Sequence, residues 1–196
     1  MVDIEDRTFR GDDRYAEELV GLTYTRCAFH EVDLTEATTR NTVFQDCLFG
    51  NVRFNVSHHT DSAFLACTFT RCNFFDSEFT GCKLVGSAFK ECTLRPMKVL
   101  GGDWSFVALP GADLRGTTFQ AVRLREADLT AANCGGATFA DCDLSGGQLD
   151  KIDIRAADLR GSDLSALDPL NAELTGAFIG PGQAVVIAES LGFQVG

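Results

Sequence analysis

Eight cysteines and three histidines are the side chains of this 196-residue sequence best suited to bind metal or attack an electrophile. Cys27, Cys47 and Cys67 recur every 20 residues, and Cys67, Cys72 and Cys82 crowd the stretch "ACTFTRCNFFDSEFTGCKL" from Ala66 to Leu84. A zinc site needs four convergent Cys or His ligands, and no histidine neighbours the regular cysteines. His30 is isolated, and the pair His58–His59 has no carboxylate or thiol placed to complete a catalytic or metal set. Phosphate-cradling glycine loops, metalloprotease helices and nucleophile elbows are also missing from the sequence. We therefore expect no enzyme, no metal and no cofactor.

Phenylalanine keeps the cysteines' rhythm, as in Phe69, Phe74 and Phe79. Every fifth residue from Tyr24 to Leu164 is apolar except Thr39 and His59, over 29 positions without a slip. We call this position i. Two residues earlier the side chain is Ala, Cys, Ser, Thr, Val or Gly in 26 of 28 cases, with Met97 and Ile152 the exceptions. Position i+2 is rich in glycine and i−1 is mostly polar. A period of five matches neither the 3.6 of a helix nor the 2 of a strand. It fits a square coil with i and i−2 pointing inward and a tight turn at each corner, where φ > 0 favours Gly, Asn or Asp. Four sides make a coil of about 20 residues, and coils stack as parallel strands about 4.8 Å apart. The expected architecture is an all-β, quadrilateral parallel β-helix.

In that frame seven cysteines occupy the small inward i−2 slot and Cys134 sits at i, so they read as buried core filler. His59 takes an inward position, which predicts a local flaw in the bore or an outward opening of the coil. Pro96 falls at a third turn residue, where a cis Arg95–Pro96 bond is expected, beside the oversized Met97.

Three segments follow: residues 1–21 as an N-terminal cap, with "DRYAEELVGL" a short helix or irregular lid; 22–180 as the β-helix; and 181–196 as a C-terminal helix, cap and dimer interface. The repeat falters at "LDPLNAEL", and "GPGQAVVIAESLGF" reads as a helix of about ten residues ending at Gly192. Ala184, Ile187, Ala188 and Leu191 form its expected inward stripe. Phe178, Val185, Val186, Leu191 and Phe193 are the expected contacts of an end-to-end homodimer.

The net charge is −11, which argues against binding nucleic acid directly through a basic patch. No secretory leader is read in "MVDIEDRTFRGDD" and no apolar run nears the ~20 residues of a membrane span, so a cytoplasmic protein off the membrane is expected. Residues 1–100 carry a net −4 and residues 101–196 a net −7. In the second set the outward i−1 positions hold Asp103, Asp113, Asp128, Asp143, Asp153, Asp158, Asp163, Asp168 and Glu173, the candidate partner-binding surface.

The units "ADLRG", "CTFTR" and "ADLTA" resemble the pentapeptide-repeat family, whose A(D/N)Lxx consensus implies a right-handed β-helix. The segments "CTLRPMKVLGGDWSFVALPGADLRG" and "DPLNAELTGA" and the tail "QAVVIAESLGF" are similar to the MfpA-type proteins of mycobacteria, a group related in function to the Qnr proteins. The phase runs without a long projecting loop, a departure from Qnr that fits the MfpA type. The resemblance implies a dimeric, DNA-mimicking rod that binds DNA gyrase, inhibits or modulates it and confers fluoroquinolone protection. The alternative is a pentapeptide-repeat scaffold for an unrelated protein partner.

Overall fold

The computed structural model describes residues 2–196, and their backbone is a parallel β solenoid. Each residue pairs with the one 20 positions later, as in Tyr24↔Phe44, Phe29↔Phe49 and Phe79↔Val99. The chain thus returns to the same place on the rod after four quintets. Face 1 stacks the strands Val2–Glu5, Leu22–Thr25, Val43–Gln45 and Ala63–Leu65 and continues as single bridges to Asp163. Face 2 runs from Thr8–Arg10 to Ala88–Lys90 in five strands, and face 4 from Glu18–Val20 to Thr138–Ala140 in seven. Face 3 is built of bridges alone, from Asp13↔Asp33 to Asp153↔Glu173.

Every i residue from Tyr24 to Leu164 is buried. Ring planes in successive coils lie nearly parallel, with centroids 4.8 Å apart for Phe49–Phe69, 4.7 Å for Phe69–Phe89 and 4.6 Å for Phe54–Phe74. Phe79 stacks on His59 at 4.5 Å. Burial stabilises each such ring by about 1.5–3 kcal/mol, and the stacked geometry adds roughly 0.5–1.5 kcal/mol. Phe69, Phe74 and Phe79 are therefore central members of the core.

The corners place residue i+2 at positive φ, as expected, but without the expected restriction in residue type. Twenty-one non-glycine residues take this conformation, including Val56 at 57° and Phe106 at 60°. The stacked ladders on either side fix the bend, so tertiary bonding overrides local preference at a cost of about 1–2 kcal/mol per corner.

The i−2 slot has a specific polar task. In the phenylalanine-rich first half most corners lack the bond from the N–H of i+3 to the C=O of i. The thiol or hydroxyl 23 residues later donates to that carbonyl instead. Cys47 donates to Tyr24 (3.4 Å), Cys67 to Phe44 (3.4 Å), Cys72 to Phe49 (3.4 Å) and Ser87 to Phe64 (2.8 Å). From Leu84 onward the corners close more often on themselves, as in Ala112 N–H to Leu109 C=O and Ala132 N–H to Leu129 C=O. There the slot more often holds Ala. A buried carbonyl needs a donor, and at most of these corners either the turn or the next coil's Cys, Ser or Thr supplies it. All eight cysteines are free thiols.

Both ends differ from expectation in part. Residues 2–20 form a regular first coil rather than a helix or irregular lid, because Ile4, Phe9 and Leu19 pair in register with Tyr24, Phe29 and Thr39. The opening is covered by Arg14, whose guanidinium sits 4.6 Å from the Phe9 ring centroid beside Asp12 and Glu17. Its inward position is one that an apolar residue holds in the other coils. At the other end a short 3₁₀ turn, Pro169–Asn171, interrupts the repeat, and Asp168 caps it through Leu170 N–H at 3.0 Å.

The C-terminal helix spans Pro181–Ser190. Its inward side is Gln183, Ile187 and Ala188, whereas Ala184 and Leu191 of the expected stripe are exposed. Gln183 explains the rotation, since its Nε2 donates to Leu159 C=O (2.6 Å) and Ser162 C=O (2.8 Å) and latches the helix to the last full coil. The Arg95–Pro96 peptide is cis and Met97 is buried.

Candidate functional site

Eight of the nine outward acidic residues share one local geometry. The Asp carboxylate at i−1 accepts the backbone N–H two residues on, which fixes the start of the corner: Asp128 from Thr130 (3.0 Å), Asp143 from Ser145 (3.1 Å), Asp163 from Ser165 (2.8 Å). Asn133 holds Gly135 N–H in the same way at 3.2 Å. The negative charge is therefore not what the turn requires. An oxygen acceptor suffices.

The surface is less uniform than its sequence stripe suggests. Asp153 and Asp158 are gripped by bidentate pairs from Arg155 and Arg160, with Nη2–Oδ2 distances of 2.6 Å in both. Asp113 lies between Arg115 (2.7 Å) and Arg95 (2.6 Å), and Asp103 is bridged by Arg123 at 2.8 Å across one coil. Asp143 has a looser neighbour in Arg125 at 3.9 Å. The side-chain bond from Arg115 holds Asp113 below the ordinary carboxylate range, as Arg155 and Arg160 do for Asp153 and Asp158. Asp163 is also lowered, chiefly by its hydrogen bonds from Ser165. Sequence reasoning missed these pairs, although the D-x-R spacing of Asp113–Arg115, Asp153–Arg155 and Asp158–Arg160 signals them. Residues two apart on an extended segment share a face.

Compensation leaves a polarised rod. Residues 101–196 hold 13 acidic and 6 basic side chains. Among the described residues, Glu126, Asp128, Asp141, Asp150, Asp163, Asp168, Glu173 and Glu189 stand in no ion pair, against the single cation Lys151. Asp163, Asp168 and Glu173 are exposed and Asp128 is half-buried. The described part of the first hundred residues keeps unpaired cations at Arg7, Arg10, Arg40, Arg71, Lys83, Lys90 and Lys98. Next to the acidic half lies an apolar end, where Leu170, Phe178, Val185, Val186, Leu191 and Phe193 are exposed. No helix among the described residues is long and apolar enough to cross a membrane.

His59 does not open the coil. It is 2% exposed, and its neighbours fix its tautomer. Ser62 gives its hydroxyl proton to Thr60 C=O (2.9 Å), so Thr39 donates to Ser62 (2.9 Å) and has only an acceptor left for His59 Nδ1 (2.9 Å). Nδ1 carries the proton, and Nε2 accepts from Ser57 at 2.9 Å. Burial, and secondarily His58, lowers the His59 pKa to about 3. A neutral, fully bonded ring is a structural element of the bore. Among the described residues no cluster of His, Cys, Asp or Glu could hold a metal ion.

Residues 72–146 match the pentapeptide repeat region family. Over that region the chain carries the pentapeptide repeat. The pentapeptide repeat protein MfpA of Mycobacterium tuberculosis H37Rv is 34% identical over 100 residues. That alignment covers 51% of this chain and 55% of MfpA, about half the length of each. A trypsin-treated variant of QnrB1, a plasmid-mediated fluoroquinolone resistance protein, superposes with a TM-score of 0.64 at 23% identity over 98% of this chain and 99% of its own. HetL, a pentapeptide repeat protein involved in heterocyst differentiation regulation in the cyanobacterium Nostoc sp. PCC 7120, gives 0.69 at 14% identity over 90% and 84%. These likenesses establish the solenoid. Two proteins of different function share it, so function has to be argued from the surface.

Proposed function

We propose that this protein is a DNA-mimicking rod that binds DNA gyrase in place of duplex DNA, inhibiting or modulating it and giving protection from fluoroquinolones, without performing chemistry of its own. The observation that carries the reading is the uncompensated charge of the C-terminal half. Seven net negative charges over about four stacked coils, ~20 Å at ~4.8 Å each, amount to one per ~3 Å of axis. Duplex DNA carries one per ~1.7 Å. A surface built to bind a duplex with Arg and Lys attracts such a rod at long range and pairs with its carboxylates at contact. The partial identity to MfpA and the fold shared with QnrB1, a plasmid-mediated fluoroquinolone resistance protein, support the link to fluoroquinolone protection.

The protein acts as a homodimer joined through its C-terminal end. The exposed Phe178, Val185, Val186, Leu191 and Phe193 beside the latched helix support this, since apolar side chains gathered at one end gain by being covered. Joining there sets the two acidic halves end to end and doubles the length of the charged rod. The test is a gyrase supercoiling assay with purified protein. Inhibition relieved by added duplex DNA is the expected result. Absence of any effect on gyrase at saturating protein would favour the second reading, a scaffold for another protein, which the likeness to HetL supports.

A further inference from the structure

Seven cysteines are buried, but Cys92 is only half-buried, and the reason lies in the face 3 ladder. That ladder runs from Asp13 through Asn73↔Thr93 and resumes with Asp113↔Asn133, with no bridge between Thr93 and Asp113 among the described residues. Elsewhere on the face each rung is bonded, as in Thr93 N–H to Cys72 C=O (2.9 Å) and Asn133 N–H to Ala112 C=O (2.8 Å). The equivalent bonds from Asp113 to Cys92 and from Leu94 to Asp113 are missing. Among the described residues only the Arg95–Asp113 ion pair, at 2.6 Å, spans the gap. Ala112 across the gap is half-buried as well.

On its other side Cys92 stands one rung above Cys72, in intact register. Each thiol donates to a carbonyl 23 residues earlier, Cys72 to Phe49 (3.4 Å) and Cys92 to Phe69 (3.5 Å), and the closeness of the two sulfurs lowers the Cys92 pKa and raises that of Cys72. Cys47 and Cys67 form a similar stacked pair in which both thiols are buried. The ladder above Cys47 and above Cys67 is closed, by Thr68 N–H to Cys47 C=O (3.0 Å) and Ala88 N–H to Cys67 C=O (2.9 Å). Paired thiols and solvent access coincide at Cys92.

We infer that Cys92 is a peroxide-reactive modification site and that Cys72 is its resolving thiol. The Cys92 thiolate attacks one peroxide oxygen; the S–O bond forms, the O–O bond breaks, and hydroxide leaves with a proton as water. Sulfur is oxidised by two electrons to the sulfenic acid and the peroxide is reduced. The Cys72 sulfur then attacks Cys92, the S–S bond forms, the S–O bond breaks, and the departing hydroxide takes the Cys72 proton as water. Strands one rung apart put the Cα atoms ~4.8 Å from each other, inside the usual range of about 4.4–6.8 Å for a disulfide. The Cβ atoms must draw closer by a few tenths of an ångström. The Cys92 coil can supply this because its other side is unbonded.

The experiment treats the native full chain with hydrogen peroxide, blocks free thiols, digests with trypsin and reads cross-links by tandem mass spectrometry. The expected product joins the peptide 72–83, through Cys72, to the peptide 91–98. Cys72→Ser should instead trap a Cys92 sulfenic acid with dimedone and give no cross-link, and Cys92→Ser should give neither. Both variants keep the core, since Ser77 and Ser87 already fill equivalent slots. Without oxidant, iodoacetamide should label Cys92 at least roughly tenfold faster than Cys47 or Cys67, whose labelling requires the ladder to open. Labelling of Cys92 no faster than of Cys47, or equal yields of a Cys47–Cys67 cross-link, would overturn the site. Sulfenic acid at Cys92 that never becomes a disulfide in the unmutated chain would overturn the role of Cys72.

Discussion

Replacing Asp128, Asp163 and Asp168 by Asn and Glu173 by Gln isolates charge from shape. The turn geometry tolerates the change, because Asn133 and Asn73 already make the same bond to Gly135 and Phe75 N–H at 3.2 and 3.0 Å. The exchange of a charged for a neutral acceptor costs about 0.5 kcal/mol at each of the three Asp turns. The solenoid should therefore persist, with a modest fall in its thermal midpoint. Four fewer negative charges take the whole chain from −11 to −7 and residues 101–196 from −7 to −3. The line charge there thins from one per ~3 Å to one per ~7 Å of axis. If each lost carboxylate forfeits the ~0.2–1 kcal/mol of an exposed ion pair, binding weakens by about 1–4 kcal/mol. That corresponds to a rise in the half-inhibitory concentration of roughly five-fold to several hundred-fold in the supercoiling assay. The unmutated chain should also lose potency steeply as salt is raised, and the tetra-amide variant should do so less steeply. A folded variant, verified by circular dichroism, that inhibits as strongly as its parent would refute DNA mimicry as the mechanism.

Three further outcomes follow from other parts of the molecule. Val186→Glu places a charge on the exposed apolar end and should halve the sedimentation mass; an unchanged mass would place the dimer contact elsewhere. His59 binds its proton near pH 3 in the folded chain but near 6.5 when unfolded, so the unfolded state holds more protons between these values. Stability from this group is full above pH ~6.5 and falls by about 1.4 kcal/mol per pH unit on acidification. The double variant Thr39→Val/His59→Phe should flatten that acid limb in urea titrations at pH 4–7, and an unaltered slope would count against a neutral buried ring. Gly102 has φ +92°, and a Cβ there would run into the Cys82 carbonyl oxygen, so Gly102→Ala should destabilise by more than about 3 kcal/mol in the same titration.

The five-residue phase is legible because one spacing repeats along nearly the whole chain. A side chain that must face inward every fifth residue leaves a mark that composition cannot hide, and Phe69, Phe74 and Phe79 carry it plainly. The cysteines' burial follows from that phase. Their hydrogen bonds do not, because a thiol donating to a carbonyl 23 residues earlier depends on which corners close on themselves. Glycine is less necessary at the corners than turn chemistry implies: Val56 and Phe106 show that bonded neighbours on both sides of a bend can impose a positive φ on almost any residue. The first coil resembles a cap in sequence because Arg14 occupies an inward position. Only the finished rod shows that an arginine there lies across an open end, where its guanidinium can reach the Phe9 ring and the Asp12 and Glu17 carboxylates.

The sequence by itself determined the coil, the inward and outward sides of each quintet and the excess of acid toward the C-terminus, since all three are properties of spacing and count. The tertiary structure alone decided which carboxylates remain available. Ion pairing is a matter of ångströms between side chains one coil or two residues apart, and it took Asp103, Asp113, Asp153 and Asp158 out of a stripe of equals while leaving Asp163, Asp168 and Glu173 exposed to solvent.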